Sequence, residues 1–136
     1  MFLSYFAISA YLAAALLLMR FFSQNDLKHP RQQTTSLLIS FAIIAQTLTF
    51  TNFWTADGVV FGLANSASFV AWLVAILLFL SSISKPVHVL GILVYPLAAL
   101  SLMFGILFPG TGNNLIPLSI ASHVFLSITA YALLAL

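Results

Sequence analysis

The segment that decides the fold is residues 117–136, which read Pro-Leu-Ser-Ile-Ala-Ser-His-Val-Phe-Leu-Ser-Ile-Thr-Ala-Tyr-Ala-Leu-Leu-Ala-Leu. It is apolar over about 20 residues, the length that an α-helix needs to cross the hydrocarbon core of a bilayer. Pro117 suits the first turn of a helix, where its missing N–H costs no hydrogen bond. The segment therefore predicts a transmembrane helix that begins near Pro117.

One side of this helix would be polar. Steps of four residues place four side chains on one stripe: Ser119, His123, Ser127 and Tyr131. A histidine in a membrane helix is a candidate functional residue, because an ionisable group is expensive to place in hydrocarbon. The simpler alternative is a neutral imidazole that hydrogen-bonds a neighbouring helix. His123 would lie about 9 Å along the helix from Pro117, near the end at which the chain enters the membrane.

The whole chain has the composition of an integral membrane protein. Of its 136 residues, 62% are hydrophobic and 4% are charged, whereas a soluble domain has about 25% charged residues. The apolar runs are continuous rather than alternating, which favours helices over a β-barrel. The chain has no cysteine, which excludes disulfides and thiolate metal ligands from it. Its four basic residues are too few for a nucleic-acid surface.

These patterns predict an all-α polytopic membrane helix bundle that forms one transmembrane domain over residues 1–136. We expect five transmembrane helices, at residues 2–22, 35–53, 62–82, 87–108 and 117–136. The four basic residues lie in or beside the connections that follow the first and third helices: Arg20, Lys28, Arg31 and Lys85. The positive-inside rule therefore places those connections in the cytoplasm and the N-terminus outside. His123 would then lie near the outer surface.

Residues inside the predicted helices also indicate how the helices pack. Gln46 lies well inside the second helix and needs hydrogen-bond partners, because an unpaired amide in hydrocarbon costs several kcal/mol. The third helix has a face of small residues, where another helix backbone can approach closely. That face consists of Ala64, Ser68, Ala71 and Ala75. Asp57-Gly58 indicates a turn between the second and third helices.

Three segments together resemble a known family. Ser-His-Val-Phe-Leu-Ser-Ile-Thr-Ala-Tyr-Ala-Leu-Leu (122–134) resembles the "His-Val … Leu-Ser … Ala-Tyr-Ala" helix of the cytochrome c assembly proteins of the CcsA and CcmC type. The segments 62–72 (Gly-Leu-Ala-Asn-Ser-Ala-Ser-Phe-Val-Ala-Trp) and 94–100 (Val-Tyr-Pro-Leu-Ala-Ala-Leu) are similar to parts of the smaller YpjD-like branch. The resemblance extends from about residue 35 to the end of the sequence.

This resemblance implies a haem-handling protein of the bacterial plasma (inner) membrane, and it implies that the sequence is the N-terminal part of a larger fold of about eight helices. Such proteins present haem at the outer face of the membrane, and the expected partners are apocytochrome c or another cytochrome c maturation protein, together with membrane lipid. His123 matches an axial haem ligand, and Ser119, Ser127 and Tyr131 would lie beside it. Two features depart from the family. Gln46 stands where relatives have a histidine, and the family's tryptophan-rich outer loop is absent from these residues.

Two other functions remain open from the residues alone. The chain could be a non-catalytic membrane subunit or assembly factor that packs against another membrane protein and binds no cofactor. It could also be a small transporter or proton relay, for which the candidate residues are Gln46, Asn65, His123 and Tyr131. The relay is disfavoured because both acidic residues, Asp26 and Asp57, lie in predicted loops. An enzyme is not expected, because the sequence shows no carboxylate pair and no nucleophile with a base.

Overall fold

The computed structural model of the chain describes residues 2–24, 29–51, 54–55, 58–60, 62–84, 88–108 and 115–134. Within these ranges the chain forms five α-helices: α1 (Phe2–Gln24), α2 (His29–Phe50), α3 (Leu63–Ser84), α4 (His88–Leu107) and α5 (Leu118–Leu134). The predicted all-α architecture is confirmed. Helices α1 to α4 are long and apolar enough to cross a membrane. Helix α5 is apolar but has only 17 residues, or about 25 Å at 1.5 Å per residue.

The start of α2 differs from the sequence prediction. Residues 29–34 were expected in a polar loop, but they form the first turns of the helix. Pro30 is at the second position of α2, where a proline is tolerated, and Arg31 and the two glutamines that follow are good helix formers. Helix α2 therefore begins with a polar segment, residues 29–34, that precedes its apolar part. At the other helix ends the largest difference is three residues, Phe50 against the expected 53.

Helices α1 to α4 form a bundle, and α5 lies against its outside. Helix α1 packs on α2 and α4, α3 packs on α4 and less extensively on α2, and α5 contacts α3 and a short strand. The core is rich in alanine, which lets helix backbones approach closely and gain the van der Waals contact that holds helices together in lipid. Its main members are Ala7, Tyr11, Ala14 and Leu18 of α1, Ile39, Ala42 and Ala45 of α2, Ala75 and Leu78 of α3, and Tyr95, Ala98, Ala99 and Leu102 of α4.

A small antiparallel sheet joins two of the helix connections. Its strands, in spatial order, are β1 (Trp54–Thr55), β2 (Gly58–Val60) and β3 (Leu115–Ile116). The sequence prediction had only loops at 54–61 and 109–116. Thr55 pairs with Gly58, so the chain reverses there, as the turn signal indicated; residues 56–57 lie outside the described residues. Because β3 directly precedes α5, the sheet ties the start of α5 to the α2–α3 connection.

Gly58 has a backbone conformation that residues with a side chain rarely adopt. Its φ angle is +144°, in a region that L-amino acids rarely adopt. A Cβ atom at this position would also lie 2.7 Å from the carbonyl oxygen of Ile116 on the neighbouring strand. The pairing of β2 with β3 therefore depends on glycine at the start of β2.

Candidate functional site

A hydrogen-bonded cluster around Gln46 lies in the interior of the bundle. The Tyr11 hydroxyl donates to Gln46 Oε1 over 2.8 Å. The Gln46 amide nitrogen donates to the Ser68 carbonyl oxygen at 3.1 Å and to Ser68 Oγ at 3.2 Å. All three side chains are buried. The cluster joins α1, α2 and α3, and it confirms that Gln46 requires partners inside the bundle.

A fourth helix completes this cluster through an aromatic contact. The ring of Tyr95, on α4, stacks on that of Tyr11 with centroids 6.0 Å apart and an interplanar angle of 15°. Among the residues that the structure describes, no buried side-chain nitrogen or oxygen lacks a hydrogen-bond partner. The hydrogen bonds and the ring contact of the cluster link all four helices of the bundle to one another.

The residues proposed for a proton relay are not brought together. Gln46 is occupied by Tyr11 and Ser68, whereas the Asn65 amide donates to the Val60 carbonyl oxygen at 2.8 Å. His123 and Tyr131 lie on the exposed side of α5. The Asn65 bond instead fastens the first turn of α3 to strand β2.

The predicted polar stripe lies mostly on the outer surface of α5. Ser119, His123 and Tyr131 are exposed, and Ser127 is half-buried. The opposite side of the helix faces the bundle, with Ala121 fully buried. The His123 imidazole makes no hydrogen bond to any residue in the described part of the chain. The sequence correctly grouped these residues on one helix, but it did not show that the group faces away from the other four helices.

An aromatic cluster attaches α5 to the bundle. The Phe125 ring meets the Phe69 ring of α3 edge-on, with centroids 4.2 Å apart. Phe69 also contacts Trp72, with centroids 5.6 Å apart, and Phe50 at the end of α2 contacts both. The Trp72 indole N–H donates to Thr47 Oγ1 at 3.0 Å. Sequence reasoning missed this cluster, although Phe69 and Trp72 are three residues apart and so share a helix face.

The side of α5 that faces away from the bundle presents a mixture of residue types. We call it the α5 seam, and it consists of Ser119, His123, Leu126, Ala130 and Leu133, all exposed. At steps of four, three, four and three residues these side chains form one line along the helix. The seam is polar at its first two positions and apolar at the last three, with a small residue at Ala130.

The described residues were searched for side chains that could bind a metal ion. They include no group of three or more His, Cys, Asp or Glu side chains that could bind an ion. A haem iron needs only one or two protein ligands, and an imidazole is a suitable one. His123 could therefore supply one axial ligand of a haem.

No family model, curated protein or solved structure matches this chain.

Proposed function

We propose that this chain is a non-catalytic, multi-pass membrane protein whose helix α5 packs against transmembrane helices outside the α1–α4 bundle. The observation that supports this proposal is the exposed His123 imidazole on a helix that is otherwise apolar enough for lipid. A polar group that faces lipid without a partner loses the hydrogen bonds it would make in water. A neighbouring helix restores them.

Several exposed hydroxyl groups are satisfied within their own helix. The Ser122 hydroxyl donates to the Ser119 carbonyl oxygen at 2.9 Å, and the Ser9 hydroxyl donates to the Phe6 carbonyl oxygen at 2.8 Å. Thr47 does the same to Ile43. Such bonds let serine and threonine face lipid at little cost. The His123 imidazole makes no such bond to the described residues, so a helix outside the bundle could supply its partner.

The proposal includes an orientation in the membrane. All four Lys and Arg residues belong to, or flank, the α1–α2 and α3–α4 connections. The strands β1, β2 and β3 belong to the other two connections and therefore lie at the opposite end of the bundle. By the positive-inside rule the basic end is cytoplasmic, the N-terminus and the sheet are outside, and α5 is a fifth span. From the family resemblance, the membrane is the bacterial plasma membrane.

The test is the size of the protein after extraction from native membranes in a mild detergent. We expect the wild-type chain to migrate in an assembly larger than its own 14.8 kDa plus detergent, and His123→Leu to reduce that assembly. The matched control is Leu97→Ala, because Leu97 is 52% exposed on the apolar outer face of α4. A wild-type chain that runs only as a monomer contradicts the proposal.

A second candidate function, haem handling, is favoured by the same histidine. The imidazole is exposed and makes no hydrogen bond to the described residues, so a ring nitrogen is available to iron. We propose that His123 is an axial haem ligand at the outer face, with Ser119, Ser127 and Tyr131 alongside, and that haem is the cargo, delivered to apocytochrome c. A second ligand would come from the helix that covers the α5 seam. An inner haem site at Gln46 has no support, because that amide is fully engaged with Tyr11 and Ser68.

Haem binding is tested by the absorption spectrum of the purified protein after incubation with haem. We expect a Soret band that is lost in His123→Ala and retained in His88→Ala, since His88 begins α4 at the basic end of the bundle. A wild-type protein that acquires no Soret band rules out haem handling by this chain, and it leaves the packing role of α5 untouched.

A further inference from the structure

We infer that the basic end of the bundle binds anionic phospholipids through their phosphate headgroups. The basic end comprises the α1–α2 and α3–α4 connections and the helix ends that flank them. This inference rests on the proposed insertion of the bundle in a membrane and is independent of what packs against α5. It depends on the charge of that end, on the way the structure brings its two connections together, and on the apolar side chains beside them.

The charged residues of the chain are divided unequally between the two ends of the bundle. The basic end holds all four lysine and arginine residues: Arg20, Lys28, Arg31 and Lys85. These four positive charges and the single negative charge of Asp26 give this end a formal charge of +3, whereas the only charged residue of the opposite end is Asp57. Clusters of about four or more basic residues directly beside transmembrane helices are typical of surfaces that attract anionic lipids.

The packing of α1 on α4 brings the two basic connections side by side. A Cβ atom at Gly91, three residues after the start of α4, would lie 2.8 Å from Leu18 Cδ1 near the end of α1. Arg20 follows Leu18 by two residues, and Lys85 precedes the first residue of α4 by three. Helix α2 also packs on α1, so its basic first turn joins the same region. The positive charges of the two connections therefore act on one region of the membrane surface.

The Arg20 guanidinium is available to an external anion. Its side chain is exposed and makes no ion pair or hydrogen bond to the described residues, which include no Asp or Glu. Its neighbours on α1 are exposed and apolar, with Met19 55% and Phe22 67% exposed. A long basic side chain in such a setting lays its stem along the apolar surface and extends its charge to the headgroup level.

This combination of charge and apolar surface favours a lipid over other anions. Val89 and Leu90 are exposed at the start of α4, and Ile83 is exposed at the end of α3. A free phosphate ion or an acidic segment of a soluble protein would meet the cations but would leave these apolar side chains in water. A phospholipid satisfies both, because its phosphate pairs with the basic side chains and its acyl chains cover the apolar ones.

The test measures which lipid gathers at the basic end. Because the chain has no cysteine, Ser84→Cys can carry a single fluorophore at the exposed end of α3, and Thr51→Cys carries the same fluorophore at the opposite end as the control. The purified protein is reconstituted in phosphatidylcholine vesicles that contain increasing fractions of brominated phosphatidylglycerol or brominated phosphatidylcholine. Bromine quenches only nearby fluorophores. We expect phosphatidylglycerol to quench the Ser84→Cys label at a fraction about ten-fold lower than phosphatidylcholine does, and the Thr51→Cys label to respond to the two lipids alike.

Substitutions of the arginines test the charge itself. Arg20→Gln and Arg31→Gln are each expected to weaken the preference for phosphatidylglycerol about five-fold, the equivalent of about 1 kcal/mol for one basic residue at a membrane surface. Arg20→Lys keeps the charge and is expected to retain most of the preference. Both leaflets of the vesicles contain the brominated lipid, so the orientation of the protein does not alter the result.

The outcomes separate this inference from the proposal on which it rests. A preference at Ser84→Cys that the glutamine variants reduce supports lipid binding. Equal quenching by the two lipids overturns it, and so does an equally strong preference at Thr51→Cys. If inorganic phosphate abolishes the preference and chloride of equal ionic strength does not, the basic end binds a free anion and the lipid is wrong. Flotation with phosphatidylcholine vesicles at alkaline pH tests membrane insertion by itself, so its failure refutes the proposed function and not merely the lipid preference.

Discussion

At the scale of single residues, Gly91 is a position where the bundle leaves no room for a side chain. A Cβ atom there would lie 2.6 Å from Tyr95 Cε2 and 2.8 Å from Leu18 Cδ1. The Tyr95 ring is 2% exposed and stacked on Tyr11, so it cannot easily move away. We expect Gly91→Ala to lower the free energy of unfolding by about 1–3 kcal/mol, the usual effect of overpacking. Thermal unfolding in detergent measures the change.

Gly105 provides the matched control for this substitution. It lies on the same helix, α4, and a Cβ atom at this position would meet nothing within 4 Å. Gly105→Ala should therefore leave the stability unchanged or raise it slightly, because alanine is a better helix former than glycine. Equal effects of the two substitutions would show that helix propensity, rather than contact with Leu18 and Tyr95, governs the result.

The Gln46 cluster makes a second prediction at this scale. Tyr11→Phe removes one hydroxyl group and leaves Gln46 Oε1 without its donor, so we expect a loss of about 1 kcal/mol, typical of an interhelical hydrogen bond. Gln46→Leu removes the acceptor. Because the two side chains share one bond, the double variant should lose less than the sum of the single losses, by about 0.5–2 kcal/mol. Additive losses in unfolding experiments would contradict the coupling.

These two residues also show what the sequence could and could not reveal. That Gln46 needs partners followed from the cost of a buried amide in hydrocarbon, and the structure confirms it. Which partners it finds could not be predicted, because Tyr11 is 35 positions away and any of several tyrosines and serines could meet it. For His123 the pattern predicted a polar stripe. Whether that stripe faces the bundle or away from it depends on which side of α5 packs against α3. The spacing of the polar residues does not determine that side.

At the scale of elements, the outer sheet depends on a single glycine. Gly58→Ala would have to adopt a φ of +144° and would place its Cβ 2.7 Å from the Ile116 carbonyl oxygen. We expect it to break the pairing of β2 with β3 and to cost about 1–3 kcal/mol of local stability. Hydrogen exchange at residues 58–60 and 115–116 should become faster. Val60→Thr is the control, because it keeps a β-branched residue and the backbone geometry of the strand.

The same elements show where sequence reasoning reaches its limit. The helices were predictable because a run of about twenty apolar residues has few alternatives in a membrane. The strands were not, since each has only two or three residues and gains its hydrogen bonds from a segment that is distant in sequence. The early start of α2 was missed because hydropathy marks where a helix leaves the hydrocarbon, not where its hydrogen bonds begin.

At the scale of the whole molecule, the arrangement places the four longer helices in a closed bundle and leaves α5 at its edge. The buried polar side chains of the described residues have partners within the bundle, whereas the exposed His123 imidazole of α5 makes no hydrogen bond to the described residues. Packing inside α1–α4 therefore accounts for the stability of the bundle. Both proposed functions act through the exposed side of α5.

The proposed orientation leads to a prediction about which ends of the helices are accessible from outside the cell. Single cysteines can be introduced at Phe2, Ser84 and Leu134, which are all exposed at helix ends. In intact cells a membrane-impermeant maleimide should label Phe2→Cys, while Ser84→Cys and Leu134→Cys should react only after permeabilisation, because the proposed orientation puts the basic end of the bundle in the cytoplasm. Leu134→Cys is the decisive position, since α5 is only about 25 Å long. Its labelling in intact cells would mean that α5 does not cross the membrane, and the partner helix would then have to meet His123 at the outer surface instead of within the bilayer.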